Sequence, residues 1–173
     1  GLLVHKSTHH FDLVNFWLDT NPDDVFAFGE LNFYGIQNAE RRGETEFYYR
    51  SHGSEAAKKD PFSIDMENNP VFKEMYLNAE EDSGYIRDRS VFGYDMSIED
   101  TMAVLVKYKN NAVLSYSLNT YMPWEGFNVS FNGSKGRIEY QVKEKSYVSA
   151  GGDKDLEGAT KENLIRVCPM FGE

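Results

Sequence analysis

Apolar and polar positions near the start of the chain follow a helical spacing and then an alternating one. Residues 7–19 predict an amphipathic helix, with Ser7 or Thr8 as its N-cap. The apolar face that we expect this helix to bury consists of Val14, Phe16, Trp17 and Leu18. The turn-forming sequence Asn21-Pro22-Asp23 ends the helix. Alternation over residues 25–34 then predicts a strand.

The middle of the chain has weaker periodicity. Residues 35–60 carry many charges together with Gly43 and Gly53, and we interpret them as a loop. Asn69-Pro70 then introduces a short helix, because proline is favoured in the first turn of a helix. This region therefore predicts one short helix and otherwise irregular structure.

The second half of the chain changes to the period-two alternation of β-strands. Residues 100–108 and 112–122 predict two strands, and Asn110-Asn111 predicts the turn between them. Two strands that are joined by so short a turn pair as an antiparallel hairpin.

A second hairpin follows the first. Residues 127–131 and 137–142 predict its strands, and its turn contains Gly133 and Gly136, which suit positive φ values. The remaining predictions are a polar loop and a last strand, at residues 150–158 and 164–168.

Together these elements predict an α+β fold with an open, mainly antiparallel sheet, an N-terminal helix and few other helices on one face. A sheet that is covered by helices on one face needs its other face to be wet or covered by something else. Tyr, Phe, Leu and Met occupy alternate positions on both faces, so we expect an apolar partner on the second face. A second copy of the chain, giving a homo-oligomer, is the simplest partner, and a neighbouring domain is the next.

Composition and charge limit the classes of function. The chain has 173 residues, 40% of them hydrophobic and 14% aromatic, which is enough for one domain with a sizeable core. Its net charge of −10 repels phosphate backbones, so we expect no nucleic-acid partner. No apolar run reaches the roughly 20 residues of a membrane span, and no signal peptide or lipidation motif is visible. We expect no membrane partner and a cytoplasmic location, with the periplasm as the alternative.

Three of the four histidines lie within the first ten residues, close to a lysine and an aspartate. His5, His9 and Asp12 have the i, i+4, i+7 spacing of one helical face, and Lys6 and His10 share an adjacent face. The positive end of a helix dipole lowers an imidazole pKa and so favours the neutral form that a general base needs.

Three interpretations of this cluster remain open from the residues alone. In the first, the histidines are solvated or packing side chains, and Asp12 bonds a ring nitrogen or a backbone amide. In the second, His5, His9 and Asp12 bind zinc, although Lys6 stands where the zincin signature has a glutamate. In the third, His9 accepts a proton in acid–base catalysis.

Two further stretches are candidates for substrate contacts. Arg87 and Arg89 flank an aspartate, and their guanidinium groups can hold a carboxylate or sugar hydroxyls. The structural alternative is a set of surface ion pairs. Trp124 follows a predicted strand, where its ring can stack on a sugar. The structural alternative there is a tryptophan that covers the edge of the core.

The stretch GLLVHKSTHHFDLVNFWL resembles the start of the C-terminal domain of the glucose–fructose oxidoreductase and inositol dehydrogenase (Gfo/Idh/MocA) family. The family pattern there is a glycine, a leucine, an aspartate, a histidine four residues later, an aspartate three residues further, and an apolar helix. On this chain the family histidine is His9 and the second aspartate is Asp12. The runs VFAFGELNFYG and SIEDTMAVLVKY through GSKGRIEY resemble the strands that follow, so the resemblance covers most of the chain.

The resemblance implies that residues 1–173 are the C-terminal substrate-binding and oligomerisation domain of a longer protein. Members of the family place a Rossmann domain, which binds NAD or NADP, before an α+β domain whose open sheet commonly forms the oligomer interface. Their reaction transfers a hydride between a sugar or polyol and the nicotinamide. The histidine, here His9, accepts the proton of the substrate hydroxyl.

Two departures from the family pattern modify these expectations. No G-x-G-x-x-G motif follows a strand, so the dinucleotide-binding domain and the family's Rossmann lysine are absent from the chain. We therefore expect this chain alone to be inactive. His5 stands where the family has an aspartate, and Lys6 adjoins it, which puts the usual polyol preference in question.

The sequence therefore predicts His9 as the general base, with Lys6 shaping its charge in catalysis and Asp12 orienting the helix start or a ring nitrogen. The residues predicted to contact the substrate are His5, His10, Arg87, Arg89 and Trp124. The alternatives are a non-catalytic carbohydrate-binding or assembly module of the same fold, and a zinc-dependent hydrolase.

Overall fold

The structure, a computed structural model, describes residues 2–145 and 162–171. The loop predicted at residues 150–158 lies outside the described residues. Within them the fold is α+β, as predicted, and the strands form two three-stranded antiparallel sheets. The chain divides into two compact units, and each has one of the sheets.

The first unit is made of Gly1–Asp60 and Arg87–Tyr121. Its sheet has the strand order β1-β2-β3, with both pairs antiparallel, so the predicted first hairpin is confirmed as β2 and β3. The helices and strands of this unit are α1 (Leu2–His5), α2 (Thr8–Leu18), β1 (Pro22–Glu30), α3 (Ile36–Arg41), a 3-10 helix (Ala56–Lys59), β2 (Thr101–Tyr108) and β3 (Val113–Asn119).

The second unit is made of Pro61–Ile86 and Met122–Glu173. Its sheet has the order β4-β5-β6, again with antiparallel pairs. The helices and strands of this unit are α4 (Pro70–Phe72), which continues into a π-helical segment (Lys73–Leu77), α5 (Glu80–Ser83), β4 (Glu125–Gly133), β5 (Gly136–Lys145) and β6 (Glu162–Pro169). The predicted second hairpin and last strand are confirmed. Of the two glycines predicted to have positive φ in the hairpin turn, Gly136 has it (148°) and Gly133 does not.

The core of the first unit lies between α2 and the sheet. Alternate side chains of β2 are buried, namely Met102, Val104, Val106 and Tyr108. Val14 of α2 packs into this core, and Phe11 and Leu18 lie partly buried beside it. The alternation identified β2 in the sequence because one of its faces is buried along its whole length.

The outward side of α2 differs from the prediction. Phe16 is 79% exposed and Trp17 is 38% exposed, so neither joins the core as predicted. The core residues Phe11, Val14 and Leu18 are three and four positions apart, which places them on one helical face. The prediction was wrong for Phe16 and Trp17 because the apolar run is wider than the stripe of helix that the sheet covers.

The face of the first sheet that does not meet α2 carries exposed apolar side chains. Phe26 and Phe28 are 58% and 68% exposed, and their rings meet edge to face with centroids 4.9 Å apart. Leu105, which is paired with Phe26 across β1 and β2, is 51% exposed. The predicted apolar second face is therefore present in the described residues.

A helix interrupts the region that the sequence predicted as a loop. α3 begins after Gly35, whose φ is 80°, and the buried Asn38 in α3 donates hydrogen bonds to the carbonyl oxygens of Leu31 (2.9 Å) and Tyr34 (2.8 Å). These bonds tie the loop after β1 to the helix. Hydrophobic periodicity did not reveal α3 because the helix has only six residues and buries just two apolar side chains, Ile36 and Ala39, beside Asn38.

The short helix predicted at Asn69-Pro70 is confirmed. The side-chain oxygen of Asn69 accepts hydrogen bonds from the backbone amides of Val71 and Phe72, at 3.1 Å each, and Pro70 occupies the first turn. The prediction was correct because both signals, the N-cap and the proline, are local in sequence.

Candidate functional site at the start of the second helix

The histidine cluster lies where α1 meets α2. His5 ends α1, Lys6 and Ser7 form the turn, and His9 lies in the first turn of α2. The backbone amides of Lys6 and Ser7 both bond the carbonyl oxygen of Leu2, at 2.9 and 3.1 Å. The single helical face that was predicted for His5 and His9 is therefore divided between two helices.

The side chains of His5, Lys6, His9 and Asp12 are exposed. A general base has to reach a substrate hydroxyl, so the exposure of His9 is compatible with its predicted role. Among the described residues, no three His, Cys, Asp or Glu side chains are grouped so that they could hold a metal ion. The geometry thus gives the zinc interpretation no support. The orienting contact of Asp12 stays a prediction.

The two predicted N-cap residues bond backwards to α1. Ser7 precedes α2, but its side chain makes no capping hydrogen bond; its buried hydroxyl lies 3.4 Å from the Leu2 carbonyl oxygen. The Thr8 hydroxyl donates to the Val4 carbonyl oxygen at 3.0 Å. These two bonds connect α1 to α2 instead of capping the amides of α2.

The side chain of His10 reaches the sheet. Its Nδ1 lies 2.9 Å from the hydroxyl oxygen of Tyr116 on β3, and the ring of Phe11 contacts the same tyrosine at a centroid distance of 4.8 Å. Burial raises the pKa of Tyr116, and a hydrogen bond with Ser7 acts in the opposite direction. Because the net pKa is raised, the phenol keeps its proton at neutral pH. His10 was predicted to contact the substrate. In the structure its Nδ1 atom forms a hydrogen bond within the protein, to Tyr116.

The aspartate between Arg87 and Arg89 forms a buried ion pair. The Asp88 side chain is fully buried and accepts hydrogen bonds from Arg50 Nη2 at 2.7 Å and from the backbone amide of His52 at 2.6 Å. The carbonyl oxygen of Asp88 also accepts from the Ser51 amide at 2.9 Å. Asp88 therefore ties its own segment to the segment around Ser51 in the first unit.

The arginine on the C-terminal side of Asp88 has protein partners as well. Arg89 pairs with Asp95, and its guanidinium carbon lies 5.1 Å from the ring centroid of Tyr49. Arg87 is half-buried. The contacts of Arg89 support the structural alternative, a set of ion pairs. Substrate binding by Arg87 and Arg89 stays a prediction.

Trp124 belongs to the second unit, directly before β4. Its indole ring is half-buried, and Lys143 Nζ lies 5.9 Å from the ring centroid, within cation–π range. Lys143 also pairs with Glu162 of β6 at 3.1 Å. The side chain of Lys143 therefore occupies part of the space around the indole ring. Stacking of a sugar on Trp124 stays a prediction.

A buried aspartate organises the loop after β1, and the sequence analysis missed it. Asp100 is 1% exposed and accepts hydrogen bonds from the backbone amides of Asn32, Phe33 and Tyr34 at 2.8–2.9 Å and from the Thr101 hydroxyl at 2.9 Å. Burial alone would raise the pKa of Asp100, but these hydrogen bonds together hold it below its usual value. The signal in the sequence is an acidic residue directly before a buried strand.

The loop that Asp100 holds carries an aromatic cluster. The Phe33 ring stacks on Tyr121, with centroids 4.7 Å apart and planes 12° apart, and the Arg42 guanidinium lies 4.3 Å from the Phe33 centroid. The Tyr34 hydroxyl donates to the carbonyl oxygen of Thr120 at 3.2 Å. These contacts fix the end of β1 beside the end of β3.

Comparison with known proteins decides the family. A family model described as "Oxidoreductase family, C-terminal alpha/beta domain" matches residues 1–162. The chain belongs to this oxidoreductase family. YteT of Bacillus subtilis (strain 168), which carries the name of an oxidoreductase, is 41% identical over 156 residues, which are 80% of this chain and 34% of that protein. No solved structure matches the chain at a comparable level of significance.

The family is the one that the first-helix motif resembles, and its C-terminal domain implies an N-terminal partner domain. The chain spans about a third (34%) of the length of the curated relative that it matches. In the described part of the chain both sheets are antiparallel, so those residues do not form the parallel βαβ unit that holds a dinucleotide in this type of oxidoreductase. None of the described helices is long and apolar enough to cross a membrane.

Proposed function

We propose that the chain is the substrate-binding and oligomerisation domain of an NAD- or NADP-dependent oxidoreductase that acts on a sugar, a polyol or a sugar derivative. The exposed His9, at the family position of the proton acceptor, is the observation that carries this proposal. Membership of the oxidoreductase family supports the class of reaction. The N-terminal partner domain would hold the cofactor, and the proposed location is the cytoplasm, where these dinucleotides are available.

In this proposal His9 removes the proton from the substrate hydroxyl at the carbon that is oxidised. A nicotinamide held by the partner domain would supply the hydride acceptor. The ammonium group of Lys6, in the turn before α2, favours the negative charge that develops on the hydroxyl oxygen as the proton leaves. His5, which is also exposed at the end of α1, can donate or accept a hydrogen bond to a neighbouring hydroxyl.

The test is the reduction of NAD or NADP by the full-length protein that contains this chain, measured by nicotinamide absorbance across a panel of sugars and polyols. Removal of a general base should lower kcat for the preferred substrate by roughly 100-fold in His9→Ala. The matched control is His52→Ala, which removes another exposed histidine that has no proposed role. A protein that binds no dinucleotide would be a binding or assembly module instead.

We also propose that a second copy of the chain covers the open face of the first sheet. The support is the exposed patch that Phe26, Phe28 and Leu105 form together with Val113, which is 71% exposed on β3. Contiguous apolar patches of this kind on a protein surface commonly mark interfaces between proteins. The two copies would shield this patch from water.

A further inference from the structure

The start of α2 is attached to the first sheet around one tyrosine. Tyr116 on β3 meets His10 Nδ1 at 2.9 Å, the Phe11 ring at 4.8 Å and the buried Ser7, which hydrogen-bonds to it. Ser7, His10 and Phe11 are three and four positions apart, so a single side of the helix start makes all three contacts. The polar part of this attachment consists of the bond between His10 and Tyr116 and the bond between Ser7 and Tyr116, and Phe11 contributes a ring contact.

His9 lies on the same turn as His10 but points in another direction, because successive residues of a helix are rotated by about 100°. Its side chain is exposed, so packing around the imidazole does not fix where the ring stands. The first turn of a helix frays easily, and the Ser7 side chain supplies no capping hydrogen bond here. The place of His9 therefore depends on how firmly its neighbours hold the turn.

We propose that His10 and Tyr116 form a positioning pair that holds the first turn of α2 against β3 and so fixes His9 at the distance that proton transfer requires. This inference rests on the proposed function of His9. It gives His10 a different role from the substrate contact that the sequence predicts. A misplacement of a reacting group by about 1 Å can cost up to 100-fold in rate, so a hydrogen bond that restrains the turn can matter to turnover.

The hydroxyl of Tyr116 can be the donor of this bond. A phenol is protonated at neutral pH, and burial raises the pKa of Tyr116 further, so its O–H group can donate to Nδ1 of His10. An asparagine side chain places an amide group near the position of Nδ1. His10→Asn can therefore preserve the bond, whereas His10→Ala and Tyr116→Phe remove it.

The experiment measures kcat and KM of the full-length protein for its preferred substrate in these variants. We expect His10→Ala and Tyr116→Phe each to lower kcat by about tenfold and to change KM by less than about twofold, because the pair acts on the chemical step. The double variant should lose no more than Tyr116→Phe alone, because that substitution already removes the bond to His10, together with the bond to Ser7. His10→Asn should keep most of the activity.

The matched control is Tyr108→Phe. Tyr108 is a tyrosine of the same core, 1% exposed, whose hydroxyl has no hydrogen-bond partner among the described residues. A similar loss of kcat in this control would mean that the core tolerates no such change, and would overturn the positioning role.

The outcomes for His10 and His9 separate the inference from the proposed function. A raised KM with unchanged kcat in His10→Ala would make His10 a substrate contact. Additive losses in the double variant would show that the two side chains act independently. Either result rejects the pair while His9 remains the base. If His9→Ala keeps full activity, the proposed function fails and the positioning role fails with it.

Discussion

The carboxylate of Asp100 offers a sharp test of how the first unit holds its loop. Its Oδ2 accepts the amides of Phe33 and Tyr34, and its Oδ1 accepts the amide of Asn32 and the Thr101 hydroxyl. The substitution Asp100→Asn keeps the size of the side chain but replaces one oxygen with an NH2 group. That group cannot accept a hydrogen bond, so at least one of these backbone amides loses its partner.

The expected cost follows from the contacts. The least harmful orientation keeps the carbonyl oxygen on Phe33 and Tyr34 and turns the NH2 group towards Asn32. An amide that faces an NH2 group at this buried side chain in place of its acceptor costs about 1–3 kcal/mol, and replacing charged by neutral acceptors for the remaining bonds adds about 1 kcal/mol. Asp100→Asn should therefore lower the free energy of unfolding by about 2–4 kcal/mol, which is a large part of the roughly 5–15 kcal/mol of a typical domain.

Urea unfolding followed by tryptophan fluorescence measures the loss, and hydrogen exchange at the amides of residues 32–34 shows whether it is local. Asp65→Asn is the matched control, because that carboxylate also accepts two backbone amides, those of Glu67 (3.1 Å) and Asn68 (3.0 Å), but is exposed. Water can replace these hydrogen bonds, so Asp65→Asn should lower the free energy of unfolding by less than about 1 kcal/mol. Equal losses in the two variants would refute the argument from burial.

The same carboxylate predicts the direction of a pH effect. The folded pKa of Asp100 is lowered, so the ionised side chain stabilises the fold at any pH above the unfolded value of about 3.9. This contribution is lost as the pH falls through the folded pKa. The difference in stability between the wild type and Asp100→Asn should be constant near neutral pH and shrink below about pH 4. A difference that grew on acidification would contradict the assignment.

Two further predictions concern the sheets. A Cβ on Gly126, whose φ is 143°, would lie 2.0 Å from the carbonyl oxygen of Val142, so Gly126→Ala should lower the free energy of unfolding by more than about 3 kcal/mol. Gly43→Ala, at φ 90° with nothing within 4 Å, should cost about 1–3 kcal/mol, and equal losses in urea unfolding would contradict the clash. Phe28→Lys should shift the full-length protein from an oligomer to a species of lower mass in sedimentation velocity, because it places a charge in the proposed interface. Tyr94→Lys, at an 86% exposed loop position, should leave the mass unchanged, and an unchanged mass for Phe28→Lys would exclude this face as the interface.

The strands, the helix predicted at residues 7–19, which is α2, and the helix at Asn69-Pro70 could be predicted because their signals are local. β2 alternates between buried and exposed side chains along its length, and Asn69-Pro70 supplies both the cap and the first-turn residue of α4. α3 could not be predicted in the same way. Its six residues bury only Ile36 and Ala39 as apolar side chains, and Asn38 bonds two carbonyl oxygens of the preceding loop, so the helix is too short to show a hydrophobic period.

The candidate site was predictable to a smaller degree. The motif that contains His9 and Asp12 indicated the family, whereas the role of His9 as proton acceptor stays a proposal. The roles of His10 and Asp100 were out of reach, because their partners lie 106 and 66–68 residues away in sequence. Folding brings these groups together, and the spacing of residues along the chain does not show which distant groups will meet.

The two sides of α2 serve different purposes, and this explains why the start of the helix is rich in both polar and apolar residues. The inward side, with His10, Phe11 and Val14, contacts the sheet and determines where the helix lies. The outward side presents His9 and Asp12. If His9 is the base that we propose, substitutions on the inward side should change the geometry of proton transfer, and those on the outward side should change its chemistry. For this reason the comparison of kcat with KM is more informative about α2 than activity measured at a single substrate concentration.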